Sequence, residues 1–408
     1  MDKPKPPIFL YILLFFSVVE TTLMKNNAVM VITYGLRAFV ALLGYFLMLK
    51  EMKYNRRLTN ASFFTIAVLY ACFILISSFA NKNLTAGIAY TLFCWIGLLL
   101  YVNSQRENIS ALINVFDKIF IMITFLTFLL SFFMPDLIFG VSYDNTVTIS
   151  GLYGGKNALQ FYVIPAAAIN IINHKCYQKG SKLLFFIIQF LYCFQLFYSG
   201  SGTARIIVMT FYIIYLTGVY KHLNTFWITL INAVLFFSII VYRLHEKLLY
   251  NLIVNRMNRD LSLTYRTDIW DIVLHYIKKK PILGYGSGTE LVHNNLVLPS
   301  WYEGYINEAH NGFLEILLGV GAVGLIIFLI IVGMTLIKLD LNKKLYQAKV
   351  IKLFILVYSF IGLSESAYAI SKSLFWIIVF LGYSIDSFGK SKDDQASELT
   401  EAQLVAKT

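Results

Sequence analysis

The sequence predicts an all-α, polytopic integral membrane protein with about twelve transmembrane helices and one large extracytoplasmic loop. Three observations carry that prediction. Of 408 residues, 58% are hydrophobic and only 14% charged, whereas a soluble domain carries about 25% charged residues. Apolar runs of membrane length recur along the whole chain. The third observation is one long polar interval, residues 243–308, set between such runs.

A bilayer core takes about 20 apolar residues per helix. On that rule spans fall at roughly 8–24, 28–49, 61–80, 84–103, 117–135, 157–173, 182–198, 203–220, 223–242, 309–336, 348–368 and 371–386. Residues 1–386 then form a single membrane domain, and the polar stretch 387–408 reads as a disordered cytoplasmic tail. Two lysines precede the first run, as in a signal peptide, but no small-residue cleavage site follows and Glu20 sits inside it. The expectation is a retained first helix.

The net charge of +12 does not point to nucleic acid, because cytoplasmic loops of membrane proteins are enriched in Lys and Arg. With the N-terminus inside, the cytoplasmic segments collect Lys50, Lys53, Arg56, Arg57, Lys175, Lys179, Lys343, Lys344 and Lys349 among others. The short outer loops hold little more than Lys25, Lys82, Lys156, Arg205 and Lys372. Both termini are therefore expected in the cytoplasm, and the 243–308 loop outside it. Cys72, Cys94, Cys176 and Cys193 show neither metal-ligand spacing nor a disulfide framework and read as packing residues.

Intramembrane charges are costly and are usually paired or functional. Glu20 and Arg37 fall in the outer half of the first two spans, as an ion pair or, for Arg37, as a ligand for an anion. Further along, Gly151-Leu-Tyr-Gly-Gly-Lys156-Asn157 closes an outer loop, and its glycines allow backbone to approach a ligand. An ordinary turn before a helix is the plainer alternative. Ser199-Gly-Ser-Gly-Thr-Ala-Arg205 places a guanidinium one turn into a helix, as a ligand or as a snorkelling side chain.

Within the large loop, Trp270, Val273, Leu274 and Ile277 recur at helical spacing and share a face. Lys278-Lys279-Lys280 suits the C-terminal end of that helix, and Pro281 stops it. An amphipathic helix lying on the membrane or across the bundle mouth is expected, followed by a flexible turn, Gly284-Tyr-Gly286-Ser-Gly288. His310 opens the next span, and a histidine at the lip of a cavity suits proton transfer near neutral pH. Gly321 and Gly324 fall near mid-membrane, where missing side chains let helices pack closely.

No phosphate loop of the Gly-Lys-Thr kind is present, nor Asp-x-Asp, Gly-x-Ser-x-Gly or His-Glu-x-x-His. The missing Asp-x-Asp argues against a metal-dependent transferase that uses nucleotide sugars.

Together these pieces resemble the O-antigen polymerase and O-antigen ligase superfamily of bacterial envelope glycan enzymes. The likeness runs from Gly151 to about Gly324. Gly151 to Asn157 resembles a Gly-rich helix entry, and Ser199 to Arg205 a Ser/Thr-Ser-Arg helix start, with Gly202-Thr203-Ala204 here between Ser201 and the arginine. Tyr265-Arg266…Trp270 with Pro281-Ile-Leu-Gly284-Tyr-Gly286 is similar to an Arg…Trp…Pro-x-x-Gly-x-Gly loop. His310-Asn311-x9-Gly321-x-x-Gly324 matches a His-Asn-x9-Gly-x-x-Gly motif without a gap.

The resemblance implies a GT-C-like fold and transfer of a glycan from an undecaprenyl-diphosphate carrier to a hydroxyl acceptor. The reaction would take place outside the bacterial cytoplasmic (inner) membrane, with no cofactor and no metal. A diphosphate leaving group gathers negative charge that arginines neutralise. Arg266 and Arg205 are assigned to that work, with Lys156, and Asn157 beside it, as helpers. His310 is the base, Asn311 orients a sugar, and Glu308 and Glu365 polarise His310 or hold acceptor hydroxyls. The implied partners are the lipid-linked oligosaccharide, membrane lipid and a chain-length regulator protein, with no nucleic acid. A repeat-unit polymerase is the first reading and a ligase to lipid A–core the second. From another class, a flippase also fits twelve spans, but such transporters usually show two related halves and no half-repeat is visible here.

Overall fold

The computed structural model describes residues 8–19, 27–55, 58–141, 147–149, 151–153, 155–177, 180–244, 266–286, 308–369 and 371–388. Glu20, Tyr265, most of the 243–308 loop and the tail beyond 388 lie outside the described residues. A helix occupies every expected apolar run: α1 Ile8–Val18, α2 Asn27–Asn55, α3 Ala61–Ala80, α4 Leu84–Ser104, α5 Ile109–Phe133, α6 Leu159–Ile172, α7 Lys182–Phe197, α8 Gly202–Leu216, α9 Thr225–Phe236, α11 Gly312–Leu341, α12 Tyr346–Gly362 and α13 Ser373–Tyr383. Between α9 and α11 lies the amphipathic helix α10, Arg266–Lys279. Among the described residues, five helices (α2, α3, α4, α11 and a helical stretch around α5) are long and apolar enough to cross a membrane. The fold is thus all-α and polytopic, and among the described residues it carries one small hairpin, β1 Phe139–Val141 paired antiparallel with β2 Val147–Ile149.

Outward faces are apolar: Phe46, Leu49, Phe186, Phe190 and Ile213 are exposed, as lipid-facing residues must be. Inside, α6 is buried along its whole length. Small residues permit close crossings, since a Cβ on Gly44 of α2 would lie 2.2 Å from the Gly97 carbonyl oxygen of α4. An aromatic cluster ties α4 to α11 and α13, with Trp95 and Trp376 ring centroids 5.0 Å apart and Phe328 5.7 Å from Trp376. Asp117 is buried in α5, where Asn170 and Asn173 donate to its two oxygens at 2.8 and 2.7 Å. A buried carboxylate needs such partners.

α11 is not one regular helix. Gly321 stands at φ 66°, ψ −168° and breaks it, a conformation that glycine adopts at no steric cost. The segment after α10 is lodged in this break. Ala322 N donates to Pro281 O at 2.8 Å, Tyr285 N to Leu318 O at 2.8 Å and Gly286 N to Gly319 O at 2.7 Å, so backbone groups freed by the break find new partners. A Cβ on Gly321 would lie 2.1 Å from Ile282 O. From α3, Ser77 Oγ donates to Leu283 O at 2.5 Å and Gly319 O at 3.0 Å, and Asn81 Nδ2 to Gly284 O at 3.2 Å. The expected helix packing at Gly321 is therefore replaced by a backbone docking slot, roughly 14 Å along the helix from Gly312 at 1.5 Å per residue. Gly324 meets the Val320 side chain of its own helix and Tyr70 of α3.

Candidate functional site

The docked segment fixes α10 across the start of α11. Thr267, Ile269, Trp270, Ile272 and Val273 are its buried residues, so the inward face is centred slightly N-terminal to the one expected, with Leu274 and Ile277 at its margin. Arg243 pairs with Asp271 and donates to Thr267 O at 3.4 Å, which ties the stretch after α9 to α10. Arg266 begins the described helix and is brought to the mouth of the bundle.

There Arg266 Nη2 lies 2.5 Å from Glu365 Oε1, and Glu365 is 1% exposed. The other carboxylate oxygen, Oε2, is 3.3 Å from His310 Nδ1. Glu308 Oε1 approaches the same Nδ1 at 3.3 Å. His310 keeps 28% of its side-chain surface exposed, and its backbone holds φ 47°, an uncommon conformation for a residue with a Cβ. Arg266, Glu308, His310 and Glu365, four of the residues expected at the site, thus come together from α10, the entry to α11 and the turn between α12 and α13.

Burial opposes a charge on the His310 ring, and Arg266 adds to that. The hydrogen bond to Glu365 and the charges of Glu308 and Glu365 outweigh both and hold the His310 pKa above its ordinary value. Withdrawal from water likewise pushes the Glu308 carboxyl up. Glu365 and Glu315 add to that rise, while His310 and Lys372 offset part of it.

Asn311 is fully buried and acts within the fold. Its Oδ1 accepts from Phe313 N and Leu314 N, both at 3.0 Å, and its Nδ2 donates to Leu363 O at 3.0 Å. That is an N-cap for α11, and it also joins the α12–α13 turn to the start of α11. Asn just before an apolar helical run is a cap signal that was readable in the sequence.

Arg205 stands apart. It is exposed, Nε donates to Phe197 O at 2.9 Å, and its guanidinium lies 5.9 Å from the Phe197 ring centroid. Ser201 Oγ caps α8 at Ala204 N. The Ser/Gly turn packs against the hairpin, since a Cβ on Gly200 would fall 2.4 Å from Thr148 Cγ2. The turn before Arg205 therefore adjoins the hairpin that leads into Gly151–Asn157. Lys156 and Asn157 are half-buried before α6. Arg37 is buried, with Nε donating to Ser17 O at 2.5 Å and its guanidinium 5.2 Å from the Tyr34 ring centroid. Among the described residues, the contacts of Arg205 are to Phe197 rather than to the Glu365 cluster.

Two residues without an expected role do reach it. Lys372 Nζ lies 4.8 Å from the Phe161 ring centroid and acts electrostatically on Glu308. It so connects the start of α6, next to the Gly-rich motif, with the cluster. Glu315 is buried and accepts from Ala309 N at 2.6 Å and Ser366 Oγ at 2.9 Å. A lone lysine in a short turn and a glutamate inside an apolar run gave no local signal of this meeting.

The ligand atoms of Glu308, His310 and Glu365 lie within 4.8 Å of one another and form a donor set that could hold a cation. Arg266 already places a positive charge on Glu365. A divalent ion would have to share that carboxylate with the guanidinium.

Fold and site together define a polytopic membrane protein with a buried carboxylate, a guanidinium and an imidazole at the bundle mouth. The family model for O-antigen ligase matches residues 187–329, a stretch that takes in Arg205, Arg266 and His310 and ends before Glu365. The chain is also 23% identical over 326 residues to the ComP-specific O-oligosaccharyltransferase of Acinetobacter baylyi, covering 72% of this chain and 56% of that relative's length. These matches bear out the resemblance to the O-antigen ligase superfamily.

Proposed function

We propose that the protein transfers a glycan from a polyprenyl-diphosphate-linked donor to an acceptor hydroxyl, outside the cytoplasmic membrane and with both termini inside. The observation that carries this reading is the Arg266–Glu365–His310 arrangement. With Nδ1 directed at the two carboxylates, the imidazole leaves Nε2 as the acceptor for the proton of the attacking hydroxyl. Glu365 orients the ring and favours the imidazolium that forms. The hydroxyl oxygen bonds to the anomeric carbon as the bond to the diphosphate breaks, and the diphosphate leaves with the electron pair.

Arg266 supplies positive charge for that leaving group; a guanidinium has five N–H donors, more than the pairing with Glu365 uses. Lys372 adds a second cation nearby. Arg205 and Lys156 keep a proposed place on the outer loops as contacts for the remainder of the donor. The charge is supplied by side chains, so the reaction is read as independent of metal. An apolar cavity of ≈ 330 Å³ supports a lipid-linked donor. It lies among α9, α11, α12 and α13 and reaches Phe313 and Tyr368, each three residues from a member of the cluster. A polyprenyl tail suits that lining.

A lipid-linked repeat unit is proposed as the acceptor, which makes the protein a polymerase of O-antigen or a related envelope polysaccharide. A chain-length regulator would then be a partner. The O-antigen ligase match favours a second reading, a ligase that transfers to lipid A–core. The test is transfer by the purified protein in liposomes, with a lipid-linked oligosaccharide as donor and either acceptor offered. Product on one acceptor and none with His310→Ala is expected. Full transfer by His310→Ala would overturn the assignment.

A further inference from the structure

The segments that carry His310 and Glu365 are separate in sequence, and the pair itself is joined by a single 3.3 Å hydrogen bond. Residues 308–311 lead into α11, while Glu365 and Ser366 lie in the turn after α12. One carboxylate spans the gap. Glu315, 2% exposed in the first turn of α11, accepts Ala309 N–H at 2.6 Å and Ser366 Oγ–H at 2.9 Å on the same oxygen, Oε2. Ala309 is the residue before His310, and Ser366 the residue after Glu365. A helix N-terminus also favours a carboxylate in its first turn.

We propose that Glu315 is a positioning residue for the transfer reaction, a strut that sets His310 against Glu365 by gripping the backbone beside one and the side chain beside the other. This rests on the reading of His310 as the base. Asn311 makes a parallel link through Leu363 O at 3.0 Å, but Leu363 is two residues from Glu365, whereas Glu315 holds the immediate neighbours Ala309 and Ser366. His310 stands at φ 47°, and a strained backbone persists only where its surroundings over-determine it. The Ala309 bond is one such constraint.

The strut acts through geometry, so a glutamine, whose Oε1 can accept both bonds, should serve where alanine does not. Glu308, Glu365 and Arg266 face the His310 ring, and Lys372 and Glu315 act on Glu308. Without the strut the Glu365 bond to Nδ1 lengthens, and the His310 pKa drops toward the ordinary histidine value.

The experiment uses the full chain in liposomes with two readouts. One is the pH profile of glycan transfer. The other is diethyl pyrocarbonate modification of His310 across pH, read by peptide mass spectrometry; only the neutral ring reacts, so its midpoint is the ring pKa. Glu315→Ala is expected to cut the turnover rate per folded molecule by about tenfold with little change in donor KM. It should lower the labelling midpoint toward the ordinary histidine value. Glu315→Gln is expected to stay within about threefold of wild type in rate, with the midpoint kept. Ser366→Ala, which removes one of the two bonds, should move both readouts the same way by less. It also decides the question if Glu315→Ala fails to insert. A lowered melting temperature with rate per molecule and midpoint unchanged, in whichever of these variants folds, would overturn the strut. If wild type transfers no glycan, the functional reading falls, and the labelling midpoints still decide whether Glu315 positions His310.

Discussion

Glu365 and His310 share a hydrogen bond of 3.3 Å between Oε2 and Nδ1 at the mouth of the bundle, and the opposite oxygen of that carboxylate holds Arg266. One buried group thus orients the imidazole and anchors the guanidinium. Glu365→Gln removes the charge that favours the imidazolium. Transfer is expected to fall about 10²-fold, and the acid limb of the rate–pH profile should move to lower pH as the His310 pKa drops. A limb left in place would show that Glu365 does not act on His310.

Stability should carry the same signature. His310 and Glu308 both have raised pKa values in the fold, so the native state binds more protons than the unfolded chain between the ordinary and raised values. For His310, the stabilisation is fully present below its unfolded value of about 6.5 and is lost as pH rises through the folded value. For Glu308, the penalty of ionising in the fold sets in as pH rises above the ordinary carboxylate value. Both signs agree: thermal unfolding in detergent should come at lower temperature at higher pH. The slope between neutral and mildly alkaline pH should shrink in His310→Gln.

Arg266→Ala leaves Glu365 as a buried carboxylate without its guanidinium, a change that costs about 3–5 kcal/mol when a buried pair is broken. Arg266→Lys keeps the charge without the fork. Both should lower turnover, alanine by about 10²–10³-fold and lysine by less. Equal activity in all three proteins, at matched insertion, would remove Arg266 from the reaction.

Gly321→Ala should unseat the segment docked in the α11 break. Its backbone stands at φ 66° and the new Cβ would meet Ile282 O at 2.1 Å, so a loss of about 1–3 kcal/mol is expected from overpacking and strain. Gly333→Ala, in the same helix with nothing within 4 Å, is the control and should be near neutral. Thermal unfolding of both variants checks the difference.

On the proposed mechanism, in which side-chain cations neutralise the leaving group, chelation should leave transfer by the purified protein unchanged within about twofold. Loss of activity with EDTA, restored by a divalent ion, would instead make Glu308, His310 and Glu365 a metal site.

Much of the scaffold was legible because apolar length and 3.6-residue periodicity are local properties: every expected run contains a helix. His310 was legible as a histidine at the start of an apolar run, whereas Arg266, Glu308 and Glu365 entered through the family resemblance; the structure brings the four together. The break at Gly321 was not. An apolar helix reads continuously through a glycine, and only residues 281–286, arriving from elsewhere in the chain, make the break favourable. Asn311 carries a cap signal in its position before α11, and its Oδ1 accepts from Phe313 N and Leu314 N. Lys372 and Glu315 became visible only when the α12–α13 turn met the start of α11, a contact between distant segments with no local pattern.

The most direct test of the central claim replaces the protein in a strain that lacks it with either wild type or His310→Ala at matched membrane levels. Surface polysaccharide is then resolved on a gel, and lipid-linked glycans are extracted. Wild type should restore long chains, while His310→Ala should leave lipid-linked units accumulating on the outer face, with single units on the core if the protein is a polymerase. Full restoration of long chains by His310→Ala, or units trapped on the cytoplasmic face in the strain lacking the protein, would contradict glycan transfer at this site.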